Sequence, residues 1–220
     1  MSIFSKLFGK KKKKEIKEEV IMGRKLASSD FAIIAADFDL KEAYVRAIFK
    51  VEAGGKSGFL KDDPTIPVTL EEGHIFYKYL KEKGKDADSI ALKYGNICYP
   101  KWTKSHYRTG LNEYERYILA KKIDEECAML ATSWGLGQIM GFNYKAAGYK
   151  TVQDFVKAMY ESELNQLLAM CRFIKSNPAM YEALKKEDWA KFARLYNGPG
   201  YAANQYDKKL KEAFDLYNKN

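Results

Sequence analysis

Val51-Glu52-Ala53-Gly54-Gly55-Lys56-Ser57-Gly58-Phe59 is the stretch whose reading decides the fold. Tyr44, Val45, Ile48 and Val51 lead into it at helical spacing, and Asp39 with Glu42 three residues on has the form of a capping box. A helix is therefore expected over Asp39–Glu52, stopped at Gly54-Gly55, where a left-handed C-cap needs no side chain. Glu52 then sits in the last turn of an apolar helix, at the negative end of the helix dipole. Both surroundings disfavour the ionised carboxylate and raise its pKa. A carboxyl that keeps its proton near neutrality is suited to general acid catalysis. The plain alternative is a solvated glutamate at a helix end.

Working outward, 220 residues with 46% hydrophobic and 30% charged content suit one soluble globular domain. The formal net charge is +9, of which the first nineteen residues supply seven lysines against three glutamates. A basic tail is thus expected over residues 1–22, ahead of a catalytic domain over 23–220. Its alternatives are a solvated arm and a reversible contact with anionic membrane or wall. Cys98, Cys127 and Cys171 form no C-x-x-C pair, and only His74 and His106 are present, so no metal and no disulfide framework is expected. No cofactor is called for. Ile3, Phe4, Leu7 and Phe8 precede the lysine run of Lys10–Lys14, the reverse of a secretion signal, so synthesis in a bacterial cytoplasm without a signal peptide is expected.

Along the chain, Ser29 or Asp30 is expected to cap a short helix, and residues 57–70, with Pro64 and Pro67, to form a short strand or hairpin. Helical spacing resumes over His74–Leu80 and, weakly, over Asp86–Tyr94, with a loop from Gly95 to Gly110. Asn112 and Glu115 mark the next helix start, and Ile118, Leu119, Ile123, Cys127 and Leu130 form its buried stripe. That helix runs into a tight turn at Ser133-Trp134-Gly135. Thr151 and Asp154 open a long helical region ending before Pro178; helices near 179–185, 188–195 and 202–217 complete the chain. The fold class is mainly α (an α+β arrangement), with one small β element directly after Glu52.

Two nucleotide motifs fail. Gly55-Lys56-Ser57 has Lys50 where a phosphate loop needs its first glycine, and a helix rather than a strand precedes it. Gly135-Leu136-Gly137 followed by Gly141 is spaced one residue too wide for a dinucleotide site. No nucleic-acid partner is expected.

Four stretches, VEAGGKSGF, TLEEGHIFYKYL, ATSWGLGQIMGFNY and FARLYNGPGYAANQYDKKL, resemble the N-acetylmuramidase domain of phage endolysins and related bacterial peptidoglycan hydrolases. The resemblance covers the chain from about residue 25 onward. It implies a lysozyme-like fold, bacterial peptidoglycan glycan strands as substrate, and Glu52 as the catalytic acid. It also implies Glu72 as the equivalent of a family carboxylate, although Glu71 stands where the family usually carries phenylalanine. Glycoside cleavage pairs an acid with a second carboxylate in most families. Glu72 is therefore read either as that partner or as a residue orienting a loop. Ser133, Gln138, Tyr196 and Asn197, in glycine-bearing turns, are candidate sugar-binding groups; Trp102 and Tyr107, in the long loop, are candidates for stacking on glycan. Trp134 is read as packing. The expected enzyme is a monomeric muramidase acting on the wall for cell lysis. A lytic transglycosylase, needing one glutamate, and a non-catalytic wall- or nucleic-acid-binding protein are the alternatives.

Overall fold

A computed structural model describes residues 22–219. The expected lysine-rich tail lies outside these residues. Among them the protein is mainly α, with eleven α-helices and one small three-stranded sheet. Helix α1 (Ser28–Asp37) packs against α2 (Glu42–Glu52), whose other long neighbour is α11 (Tyr206–Tyr217). The inward face of α2, with Tyr44, Val45, Ala47 and Ile48, is buried, and Tyr44 stacks on Phe214 of α11 at 4.7 Å between ring centres. The catalytic candidate is thus on the last turn of a helix held on both sides.

Asp39 does not start α2. Its backbone is left-handed (φ 52°), its N–H bonds Ala36 O, and the next N–H, of Leu40, reaches Ala35 O. These two bonds are a Schellman closure of α1. Aspartate tolerates that conformation better than most residues, and Lys185 Nζ holds its carboxylate at 2.6 Å. Lys41 occupies the N-cap of α2 instead. At the first helix, Asp30 reaches back from inside the first turn to the Ala27 N–H (2.8 Å).

The segment after Gly54-Gly55 is extended, as expected. Phe59 bridges Pro67, and strand β1 (Thr69–Glu71) follows. The sheet order is β1–β2–β3, all antiparallel, with β2 (Thr132–Trp134) opposite β1 and β3 (Ile139–Met140) beyond it. The tight turn expected at Ser133–Gly135 is therefore a hairpin whose arms are strands, with Gly135 (φ 67°) and Gln138 (φ 45°) left-handed.

Helices α3 (Gly73–Glu82) and α4 (Ala87–Lys93) match the expected segments, the latter capped by Asp86. The next helix begins one residue before Asn112: α5 spans Leu111–Ile123 and its N-cap is Gly110, so the Asn112–Glu115 pair is not a capping box. Its stripe also differs. Leu119 is 41% exposed, while Tyr117 and Ala120 face the core. Asp124, extended and accepting the Cys127 N–H, separates α5 from α6 (Glu125–Ala131). Ser162 likewise divides the long region opened by Thr151 into α7 (Val152–Glu161) and α8 (Glu163–Ser176). Helices α9 (Pro178–Lys185) and α10 (Trp189–Asn197) follow, and a 3₁₀ turn (Pro199–Asn204) precedes α11. Trp134 is fully packed, edge-on to Tyr117 at 4.8 Å, with its indole N–H on Met129 O.

The sheet hairpin and the extended segment after Glu52 are both fastened to α8. Buried Gln166 donates to Gly58 O (3.3 Å) and Met159 O (2.8 Å), and its Oε1 accepts the Leu136 N–H (2.9 Å). Buried Glu163 accepts the Gly58 N–H (2.9 Å), the Ser57 hydroxyl (2.7 Å) and the Leu26 N–H (3.0 Å). A Cβ on Gly58 would overlap Gln166 Oε1, and one on Gly135 would lie 2.6 Å from its amide carbon. The expected result for Gly58→Ala is a loss of about 2–3 kcal/mol in urea unfolding, the upper range for overpacking plus a displaced buried amide. Gly54→Ala, where a Cβ meets open space, costs about 1 kcal/mol, from its left-handed backbone alone.

Candidate active site

Glu52 is the last residue of α2 and Asn197 the last residue of α10. The two helix ends converge, and Asn197 Nδ2 donates to both carboxyl oxygens of Glu52 at 3.2 Å. Burial pushes the Glu52 carboxyl up to about 7, opposed only by the Asn197 hydrogen bond. Two C-terminal helix dipoles directed at the same group act in the same sense as burial. At neutral pH a large share of Glu52 is protonated, and its proton faces an open cleft of about 280 Å³.

That cleft has two walls. Lys56, Ser57 and Val68 come from the extended segment; Gly135, Leu136 and Gln138 come from the sheet hairpin. Gly54 leaves the rim open, because a Cβ there would touch nothing. Tyr196 stands beside Glu52. Its ring stacks on Phe192 (5.8 Å), and burial, then the Glu52 carboxyl, raise its hydroxyl well above the usual tyrosine range. Tyr196 Oη and Asn197 Oδ1 are buried without a hydrogen-bond partner among the described residues. Unpaired buried polar atoms are costly, and both flank the acid. Gly137 makes room for this arrangement, since a Cβ there would lie 3.1 Å from Tyr196 Oη.

The other sequence candidates are distributed. Gln138 lines the cleft, but its side chain is already engaged: Nε2 donates to Gly135 O (2.9 Å) and Val68 O (3.2 Å), and Oε1 accepts the Ser133 hydroxyl (3.0 Å). Ser133 is buried behind it and supports the turn. Glu72 lies past the far end of β1, four residues from Val68, which is about 13 Å along an extended chain. Both its oxygens accept the Tyr107 hydroxyl (2.9 and 2.8 Å), and His74 Nδ1 lies 3.3 Å from Oε2. Burial and Glu72 raise the Tyr107 hydroxyl. Trp102 is 58% exposed in the same loop, with Lys104 Nζ over its ring. Glu72, Tyr107 and Trp102 are not among the residues lining the Glu52 cleft.

The sequence reading missed Glu163 and Gln166, which hold the walls, and the buried triad of Glu71, Glu113 and Arg116. Arg116 meets Glu71 Oε2 at 2.7 Å and Glu113 Oε1 at 2.6 Å, and Glu113 also accepts the Glu71 N–H. Burial raises Glu71 well above the carboxylate range against the pull of Arg116. No local signal marks Glu163 and Gln166, since α8 also carries Asn165, Arg172 and Lys175. Among the described residues no cluster of His, Cys, Asp and Glu has the form of a metal site, and no helix is long and apolar enough to cross a membrane.

The N-acetylmuramidase family model matches residues 41–218, and the chain belongs to that family. It is a peptidoglycan hydrolase of the glycoside hydrolase class. A solved structure, that of a Burkholderia AP3 phage endolysin, is similar at 44% identity and a TM-score of 0.82, covering 90% of this chain and 73% of that one. No curated protein matches the sequence.

The raised Glu52 carboxyl has a stability signature. The unfolded chain holds this proton with a pKa near 4.5, the folded chain near 7. Folding is therefore undiminished by this group below about pH 4.5, and its stability falls as pH rises toward 7, where the buried carboxyl ionises. Glu52→Gln removes that penalty. The variant should gain on the order of 2–3 kcal/mol over the parent at pH 8 and almost nothing at pH 4, read from urea midpoints.

Proposed function

We propose that this protein is a muramidase that hydrolyses the β-1,4 bond between N-acetylmuramic acid and N-acetylglucosamine, with Glu52 as general acid. The observation that carries the reading is the Glu52 carboxyl itself, buried at two converging helix ends, poised near neutrality and open to a cleft. In this reaction the Glu52 proton passes to the glycosidic oxygen as the bond to the muramyl C1 breaks. Water then adds to C1 and its proton passes to solvent, from which the ionised Glu52 is reprotonated, leaving a reducing muramyl end. Asn197 orients the acid. Tyr196 Oη and Asn197 Oδ1 are buried beside the acid and outside the lining of the cleft, so their part is to shape its surroundings.

Among the described residues lining the cleft, Glu52 supplies the one carboxylate, and that favours a second reading. A lytic transglycosylase uses a single acid and lets the muramyl 6-hydroxyl attack in place of water. Mass spectrometry of digested sacculi separates the two. Reducing muramyl ends support hydrolysis, and 1,6-anhydro ends overturn it.

Glu72, in this proposal, positions the 94–110 loop through Tyr107. The supporting observation is that the Tyr107 hydroxyl donates to this carboxylate, lying 2.9 and 2.8 Å from its two oxygens. Lysis of purified sacculi by Glu52→Gln should fall by at least the ~10²–10⁴-fold typical of acid catalysis. Glu72→Ala should instead lower unfolding free energy by about 1–3 kcal/mol, the worth of a hydrogen bond to a charged group, with less than a tenfold loss of rate. Parent activity should decline above about pH 7 as Glu52 loses its proton. A Glu52→Gln protein with near-parent turnover would overturn the assignment.

A further inference from the structure

A second and larger depression, of about 430 Å³, adjoins the cleft behind the end of α2. Val51 and Gly54 line both, so the two form one continuous surface. Its polar walls are Lys50 on α2 and Lys209 and Glu212 on α11, and Gly54-Gly55 forms its open edge. Neither ammonium has a carboxylate oxygen within 4.0 Å among the described residues. Lys50 Nζ instead lies over the Tyr217 ring (5.6 Å) and Lys209 Nζ over the Tyr206 ring (5.8 Å). Both side chains are exposed, and aromatic faces support their stems while leaving the charges available. Lys56 extends the positive charge into the cleft itself.

Several other lysines are held by acidic partners, as in Lys81–Asp88, Lys83–Asp124 and Lys211–Asp215, whereas among the described residues Lys50 and Lys209 are not. On the muramidase reading, the sugar whose C1 is attacked carries a lactyl ether on O3, and that ether bears a peptide with free carboxylates. The substituent leaves the very ring that sits at Glu52. Residue 51, the immediate neighbour of Glu52, is where the cleft opens into the basic depression.

We propose that the depression formed by Lys50, Lys209 and the Gly54-Gly55 edge binds the acidic peptide stem of the muramyl residue being cleaved. The inference rests on the muramidase reading and assigns it a substrate form: glycan strands that still carry their peptides. The lysines attract the stem carboxylates, and the open glycine edge lets the peptide leave the sugar without meeting a side chain. Glu212 sets a limit on the positive charge of the site.

The test compares glycan strands bearing intact stems with the same strands stripped by an amidase, using the full chain and measuring kcat/KM from fragment release. The parent should favour the stem-bearing strands. In the Lys50→Gln/Lys209→Gln double variant that preference should fall about three- to tenfold, the worth of two exposed ion pairs. The Lys50→Arg/Lys209→Arg variant should keep it, and raised salt should weaken it in the parent and the arginine variant but not in the glutamine variant. An unchanged preference in the glutamine variant, or none in the parent, overturns the proposal. Failure of the muramidase reading is distinguishable, because the parent would then either cut neither strand type or release fragments with 1,6-anhydro instead of reducing muramyl ends. The affinity of each protein for stem-bearing and stripped oligomers, measured by anisotropy, then decides the pocket without catalysis: equal affinities in the parent overturn it, and a preference lost in the glutamine variant supports it.

Discussion

One buried amide holds the cleft open at a fixed width. Gln166 sits on α8 and bonds the backbone of both walls, Gly58 on one side and Leu136 on the other. Neither wall has much structure of its own. The first is a bridge and a three-residue strand, and the second is a hairpin whose arms are three and two residues long. Elements this short are marginal alone, so their separation is set by the helix beneath them. Glycine at 58 and 135 is the requirement that follows, since the amide passes where a Cβ would be. Glu163, one turn earlier, adds the Ser57–Gly58 backbone and the incoming segment at Leu26 to the same helix.

The far end of the sheet is fixed by a different device. Arg116 is 3% exposed and spans three segments: the Glu71 carboxylate and carbonyl on β1, Glu113 on its own helix, and Asn96 O in the long loop. Such a buried charge cluster contributes little net stability, but losing one member leaves an uncompensated charge. With two carboxylates to one guanidinium, burial raises Glu71 against the pull of Arg116. Glu71 and Glu72 are adjacent in sequence yet play opposite parts. One is locked in the interior, and the other reaches outward to Tyr107.

What the sequence made legible was what local chemistry encodes. The end of α2 at Glu52, the left-handed glycines after it and the helix start at Thr151 depend on a few consecutive residues, and they stand where expected. Glycine-bearing turns made Tyr196 and Asn197 candidate sugar-binding groups; their meeting with Glu52 is seen in the structure alone. Asp39 shows the limit. An aspartate before a helix is also an aspartate after one, and the left-handed closure of α1 claimed it. The short strands β2 and β3 lack the length to display alternation. Gln166 and Glu163 read as ordinary polar positions on a helix, because their burial is set by segments more than a hundred residues distant. Leu119 was misplaced because the stripe was extended through Asp124, where the helix in fact breaks.

The three cysteines have a consequence for where such a fold can operate. Cys98, Cys127 and Cys171 are all free and buried, and burial pushes each thiol up to about 12. The thiolate is the species that oxidises and exchanges, so all three are chemically quiet. Stability comes from packing and buried polar clamps rather than from covalent crosslinks. Peptidoglycan lies outside the membrane, where exposed thiols are oxidised, whereas proteins are synthesised under reducing conditions. A chain built this way has the same covalent structure on either side of that boundary, and its cleft needs neither oxidation to mature nor protection from it.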